Sequence, residues 1–207
     1  MTEHDLPVAF DHPFYFLRHG ETGHNQRRIF QGQTDSQLNE LGLVQAEAAA
    51  AKLVGQPIVE IVSSPLSRAR VTAERVGAAL GLPVETDDAL MECHLGIYQN
   101  KPYEPWLADY WDGNFAPEGG EDFYQFRARV LPAMQRIVQR GPNRLIVAHG
   151  GLWYAARSLI KLEPDLPRMP NAMALKIQPS GARWEVALVG DDARFMAEGQ
   201  VKIGQAI

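Results

Sequence analysis

Two periodicities alternate along this chain. Short, mainly apolar runs occur at 14–17, 58–62 and 145–148. Runs of that length, bounded by turn residues, predict buried strands. Between them the apolar positions recur at helical spacing. Leu43, Ala46, Ala50 and Leu53 share one face, with Asn39 as cap, Glu40 in the first turn and Gly55-Gln56-Pro57 as terminator. Leu66, Ala69, Ala73, Val76 and Leu80 form a second stripe, for which Ser64 is the expected cap and Pro65 the first helical residue. A long helix over 121–140 carries Phe123, Phe126, Val130, Met134 and Ile137 on one side, is bent by Pro132, and stops at Gly141-Pro142. A last helix is predicted over 152–161, following His149-Gly150-Gly151. Gly81 to Val84 turns into a short strand, and 172–178 and 184–189 form two more, joined by Pro179-Ser180-Gly181. Residues 1–13 read as an arm, and the tail from Asp191 carries no clear pattern.

Strands alternating with helices imply an α/β fold. We expect a three-layer sandwich, a mostly parallel sheet with helices on both faces, forming a single domain over 1–207. Residues 91–120 break the pattern with Tyr98, Tyr103, Trp106, Tyr110, Trp111, Phe115, several glycines and three prolines. They predict a cap-like insertion over the C-terminal edge of the strands. Its aromatics fit a substrate wall or the insertion's own small core, and both readings stand at this point.

Parallel strands bring three polar strand ends to one edge: Arg18-His19, Ser63 leading to Arg68, and His149. Ligands in open α/β sheets bind at that edge. Arg68 lies off the apolar stripe, in the first turn of its helix. The macrodipole disfavours a cation there unless an anion sits between the two.

Composition narrows the choice of anion. The 207 residues carry a net charge of −5, which argues against a general nucleic-acid or anionic-membrane surface. An anion site must therefore be a local cluster. The single cysteine, Cys93, allows no intrachain disulfide and fits a reducing compartment. Met1 to Asp5 lacks the features of a secretory signal, and no apolar stretch approaches the ~20 residues of a membrane span. The expected location is the cytoplasm.

Two histidines and two arginines suit a phosphoryl group. Guanidinium forks match phosphate oxygens, and a neutral imidazole can attack phosphorus. Gly20, Gly150 and Gly151 would let the backbone approach the ligand, and the Gly150-Gly151 helix start offers free N–H groups. Glu92, at the start of the insertion, is the candidate proton donor. To act as an acid near neutrality such a carboxyl needs burial or a neighbouring negative charge, which bound phosphate would supply.

Arg18-His19-Gly20-Glu21-Thr22 resembles the signature of the histidine phosphatase superfamily, in its phosphoglycerate mutase-like branch. The likeness continues through Asn25, Gln31-Gly32, the helix from Leu38 to Ala46, Ser63 to Ala69, Glu92 with Gly96, Gly119-Gly120-Glu121 with Arg129, and Val147 to Gly151. It covers roughly residues 14–190. The resemblance implies that His19 is the phosphorylated nucleophile. It implies that Arg18, Arg68 and His149 hold the phosphoryl group, with Asn25, Gln31, Gly32 and Gly150 around it, and that Glu92 is acid, then base. It implies no metal and no cofactor, and His4, His12, His24 and His94 show no metal-ligand spacing. His94 and Cys93 flank Glu92 and are candidates to touch the pocket.

A small phosphorylated metabolite is the expected partner, and the sequence leaves homo-oligomer formation open. The family's mutases resemble this chain but carry a longer, basic insertion and the pattern Glu-Arg-His-Tyr-Gly around the proton donor. Here the residues are Glu92-Cys93-His94-Leu95-Gly96, and Tyr103 stands where a downstream lysine is expected. A phosphomonoesterase is favoured over a mutase. A non-catalytic phosphoester-binding protein of the same fold is the reading from a different class; such members usually lose a site histidine or arginine, and this chain keeps all of them.

Overall fold

The computed structural model describes residues 10–159, 169–180 and 183–190. Six strands form one sheet in the order β3-β2-β4-β1-β5-β6. The four strands at one side of the sheet are parallel: β1 (Phe14–Arg18), β4 (Arg144–Ala148), β2 (Glu60–Ser63) and, at the edge, β3 (Val84–Thr86). β5 (Ala174–Ser180) pairs antiparallel with β1, and β6 (Arg183–Leu188) antiparallel with β5. The mostly parallel sheet is therefore extended on one side by an antiparallel pair. β1 and β4 are the innermost strands, and their side chains are buried on both faces, apart from Arg144.

The two faces bury separate cores. Phe14, Phe16, Ile146 and Ala148 point to one side, against α5 (Phe123–Gln139) and α6 (Gly150–Leu159). Tyr15, Leu17, Leu145 and Val147 point to the other, against α2 (Glu40–Leu53) and α3 (Ser67–Leu80). This is the period-two alternation of a strand covered on both sides.

Several helix boundaries differ from the sequence reading. α3 begins at Ser67, not Pro65, and Ser64 does not cap it. Asp35, from a neighbouring loop, takes that role: its carboxylate accepts from the Ser67 backbone N–H and the Ser67 hydroxyl, both at 2.7 Å. α5 starts at Phe123, capped by Asp122 in a reciprocal box with Gln125, which releases Glu121 for other work. α6 begins directly at Gly150. On α2 the buried face holds Gly42, Ala46, Ala49, Ala50 and Leu53, while Leu43 is 38% exposed; small residues let α2 and α3 pack closely. A short helix, α1 (Gly23–Gln26), and another, α4 (Leu107–Trp111), lie in segments expected to be irregular. The arm residues 1–9, the turn at Gly181 and the tail from Asp191 lie outside the described residues.

Gly20 and Gly42 meet backbone to backbone. A Cβ on Gly20 would collide with the Gly42 carbonyl, and one on Gly42 with the Glu21 carbonyl. The motif glycine Gly20 is thus required by helix packing, and not by approach of a ligand. Gly42→Ala is expected to lower stability by about 1–3 kcal/mol, read as a fall in the urea midpoint.

Candidate functional site

The strand ends converge as their register requires. Arg18 pairs with Ala148 and Ser63 with Val147, so His19, His149 and Ser64 each lie one residue beyond. The His19 and His149 rings are 5.2 Å apart between centroids.

A cavity of about 300 Å³ opens at this edge. Arg18, His19, Arg68 and Glu92 line it, and so do Asn25, Gln31, Gly32 and Gly150. Every expected site residue reaches it except His149, which is fully buried behind His19. Cys93 also lines the cavity, while His94 does not.

His19 Nδ1 lies 2.7 Å from the Gly20 carbonyl oxygen. A carbonyl only accepts, so Nδ1 carries the hydrogen and Nε2 keeps its lone pair. The loop holding His19 is fixed from behind by a segment that the sequence did not flag. Asn171 donates to the His19 carbonyl at 3.0 Å, and the Ala172 N–H donates to the same oxygen at 3.1 Å. Arg18 donates through Nη1 to the Met169 carbonyl.

His149 follows a similar logic. The Leu66 N–H donates to Ser64 Oγ at 3.3 Å, and Ser64 Oγ is 2.8 Å from His149 Nε2. With one lone pair engaged by Leu66, the serine hydroxyl keeps its hydrogen to donate to Nε2, the arrangement that puts the imidazole hydrogen on Nδ1. That Nδ1 is buried with no partner among the described residues, as is Arg68 Nε. Buried donors without partners call for a ligand. Burial, with the Arg68, His19 and Arg18 charges adding to it, holds the His149 imidazole well below its ordinary range, so it is neutral at pH 7.

Arg68 is 1% exposed. Its Nη atoms donate to the Thr34 and Gly32 carbonyls, both at 2.8 Å. Burial pulls its pKa down to about 10, against the opposing pull of Glu92 and Asp35; it remains a cation at neutral pH. Gly32 bends at φ 54° to present its carbonyl, and a side chain there would strike Gln99. The Gln31 oxygen accepts from Thr22 at 2.9 Å and from the Ser36 hydroxyl, leaving its amide NH₂ as the donor end.

Glu92 is held by two backbone N–H groups, Cys93 at 3.0 Å and Gly151 at 3.1 Å. The start of α6 therefore grips the carboxylate, a role the sequence reading gave to a ligand. Any side chain at Gly151 would collide with Glu92 and crowd Trp111. Behind Glu92, Arg129 uses all five of its N–H donors. It makes a fork to both Glu121 oxygens at 2.7 Å and bonds to the Ala89, Met91 and Glu92 carbonyls at 2.9–3.1 Å. Glu121 also accepts from the His94 N–H at 2.9 Å. Burial pushes the Glu121 carboxyl up, but Arg129 and the His94 N–H more than offset it, and the net shift is downward.

The aromatic insertion divides its labour. Trp106 stacks on Phe115 and Phe30 and touches Tyr98 and Tyr110, forming a small core. Tyr103 and Trp111 line the cavity, and Trp111 lies flat on Tyr154 of α6, 4.7 Å apart at 8°.

The description of the histidine phosphatase superfamily (branch 1) matches residues 14–192. The chain belongs to the histidine phosphatase superfamily. Members of this kind are phosphomonoesterases working through a phosphohistidine, and that is the chemistry of this chain. It is 38% identical over 179 residues to a Mycobacterium tuberculosis protein named glucosyl-3-phosphoglycerate phosphatase, covering 75% of this chain and 80% of that one. It is 35% identical over 148 residues to a probable phosphoglycerate mutase, GpmB, of Yersinia pestis, covering 66% and 68%. Among solved structures, Bacillus stearothermophilus YhfR superposes with a TM-score of 0.76 at 31% identity, covering 89% of this chain and all of that one. A mycobacterial glucosyl-3-phosphoglycerate phosphatase complexed with VO3 superposes with a TM-score of 0.75 at 33% identity, covering 85% and 97%. No helix among the described residues is long and apolar enough to cross a membrane.

Two outcomes follow from the buried groups. Because the folded imidazole of His149 is depressed, its contribution is intact above the unfolded value near 6.5 and is lost as pH falls. Between pH 7.5 and 5.5 the wild type should lose about 1.4 kcal/mol more urea stability than His149→Asn. Arg129→Met strands the Glu121 carboxylate and three carbonyls, and should cost about 2–4 kcal/mol in the same assay.

Proposed function

We propose that His19 is the nucleophile, Glu92 the general acid and then base, and Arg18, Arg68 and His149 the groups that hold the phosphoryl oxygens, in the hydrolysis of a small phosphorylated metabolite. One observation carries this reading. At a single strand edge, a histidine whose Nδ1 is held by the Gly20 carbonyl lines a cavity together with two arginines and a carboxylate, with the buried neutral imidazole of His149 packed against it.

His19 Nε2 attacks phosphorus as the bond to the leaving oxygen breaks. Glu92 supplies the proton that this oxygen needs. Arg18 and the free Nε of Arg68 neutralise charge on the non-bridging oxygens, and His149 Nδ1–H, Asn25 and Gln31 add neutral donors. In the second half, the Glu92 carboxylate takes a proton from water. The water oxygen bonds to phosphorus, the P–N bond breaks, and free phosphate and neutral His19 are restored.

Leaving-group recognition falls to the apolar half of the cavity, where Phe30, Leu95, Leu107, Trp111 and Tyr154 supply flat and aliphatic surface. Cys93 and Tyr103, which stand where the mutase pattern carries basic residues, both line this half. Among the described residues, the arginines and lysines that line the cavity are Arg18 and Arg68, enough for one phosphoryl group. This supports hydrolysis over transfer between two phosphorylated positions.

His19→Ala should abolish turnover of both alkyl and aryl phosphates and prevent trapping of an acid-labile phosphoenzyme in rapid-quench experiments. Glu92→Gln should cut alkyl phosphate turnover by about 10²–10⁴ and spare substrates with a good leaving group, such as 4-nitrophenyl phosphate, for which protonation matters less. Equal losses on both classes would remove Glu92 from the role of acid.

A further inference from the structure

A second compartment, about 220 Å³, adjoins the catalytic cavity. The two share Arg18, Asn25 and Tyr103, and the second adds Glu21, Arg28 and Asn171 among its walls. None of these three added residues has a part in the phosphoryl chemistry. We propose that this compartment is a subsite for a polyhydroxylated leaving group, such as the sugar portion of a sugar phosphate. The proposal rests on the phosphatase reading and names the substrate class of the same site.

Donors and acceptors share the walls of this compartment. The Asn25 oxygen already accepts from the Thr22 N–H and Asn171, which leaves its NH₂ as the donor end. Asn171 spends its NH₂ on the His19 and Gly20 carbonyls and on Asn25, leaving its oxygen to accept. One Glu21 oxygen accepts from Asn39 at 2.9 Å, and the other has no partner among the described residues. The Arg28 guanidinium likewise has none. Its root is fixed all the same: the Arg28 N–H donates to the Asn25 carbonyl at 3.1 Å, and its carbonyl accepts from the Tyr103 N–H at 2.9 Å, with φ at 55°.

The compartment therefore offers two acceptors, Glu21 and Asn171, and two donors, Arg28 and Asn25. A hydroxyl is the group that satisfies both kinds at once, donating to one and accepting from the other. A carboxylate on the substrate would suit Arg28 but be repelled by Glu21. An alkyl chain would offer none of the four a hydrogen bond and would displace the water that serves them. The shared wall at Arg18 and Asn25 places the compartment beside the phosphoryl site, so a leaving group bonded through one hydroxyl can extend into it.

The test measures kcat and KM for glucose 6-phosphate, ribose 5-phosphate, n-hexyl phosphate and 3-phosphoglycerate in the wild type, Arg28→Met and Glu21→Gln. The alkyl phosphate has a leaving group of similar reactivity without the hydroxyls. Each variant is expected to lower kcat/KM on at least one sugar phosphate by about tenfold or more, mainly through KM. n-Hexyl phosphate should stay within about twofold. Equal effects on sugar and alkyl phosphates, or none on the sugar phosphates, would overturn the subsite. So would a preference for 3-phosphoglycerate that is lost in Arg28→Met and improved in Glu21→Gln, which would assign a carboxylate site. If the wild type turns over none of the four and forms no phosphoenzyme, the phosphatase reading itself fails and takes the subsite with it.

Discussion

The parallel pairing of β1 with β4 is the constraint on which the rest depends. Arg18 opposite Ala148 makes His19 and His149 the next residue on each strand, and the His19 N–H donates to the Ala148 carbonyl at 3.0 Å. β2 joins in the same direction, and the Ser64 N–H donates to the Val147 carbonyl. A slip of one residue would turn every side chain of a strand to the opposite face. Four hydrophobic side chains per strand, buried in two separate cores, oppose that slip. The position of the His19 imidazole is thus set by Phe14, Tyr15, Phe16 and Leu17, which form the buried strand before it.

Around those ends the protein gathers positive charge inside an acidic whole. Arg68 sits at the start of a helix and under cover from solvent, two circumstances that each disfavour a cation. Carbonyls of Gly32 and Thr34 and the more distant carboxylates of Asp35 and Glu92 offset the cost only in part, as the lowered Arg68 value records. The remainder is available to an anion. An anion bound there would offset that cost, and its occupancy would be linked to stability. Glu92 stands apart from this cluster, gripped by α6 on one side and by the Arg129–Glu121 fork on the other.

Much of this was legible in the chain. The apolar runs named the strands, and the residues ending them named Arg18, His19 and His149. What escaped was contact between segments distant in sequence. Ser64 followed by Pro65 has the form of a helix start, yet its hydroxyl turns to His149, 85 residues away, and Asp35 caps the helix instead. No local pattern marks Asp35, because its partner is supplied by tertiary packing. Asn171, which buttresses the His19 loop, is a lone polar residue in the stretch Met169-Pro170-Asn171-Ala172-Met173, where nothing marks it. The short link between β5 and β6 implies a hairpin, but the antiparallel pairing of β5 with β1 was hidden because composition does not set which strand a hairpin joins. The aromatic insertion was read as wall or core, and the answer is both: spacing could not separate Trp106, which packs inward, from Trp111, which faces the cavity.

That division has a consequence for how such a protein can change over time. The ring cluster of Tyr98, Trp106, Tyr110 and Phe115 gives the insertion a small core, anchored on Phe30, and beyond Glu92, Cys93 and Leu95 at its root the insertion meets the cavity through Tyr103, Leu107, Ala108 and Trp111. Drift at those few surface positions would alter which alcohol is accepted and leave the phosphoryl machinery untouched. Part of the leaving-group surface therefore lies on a face of the insertion that can vary separately from the strand register that places His19 and His149.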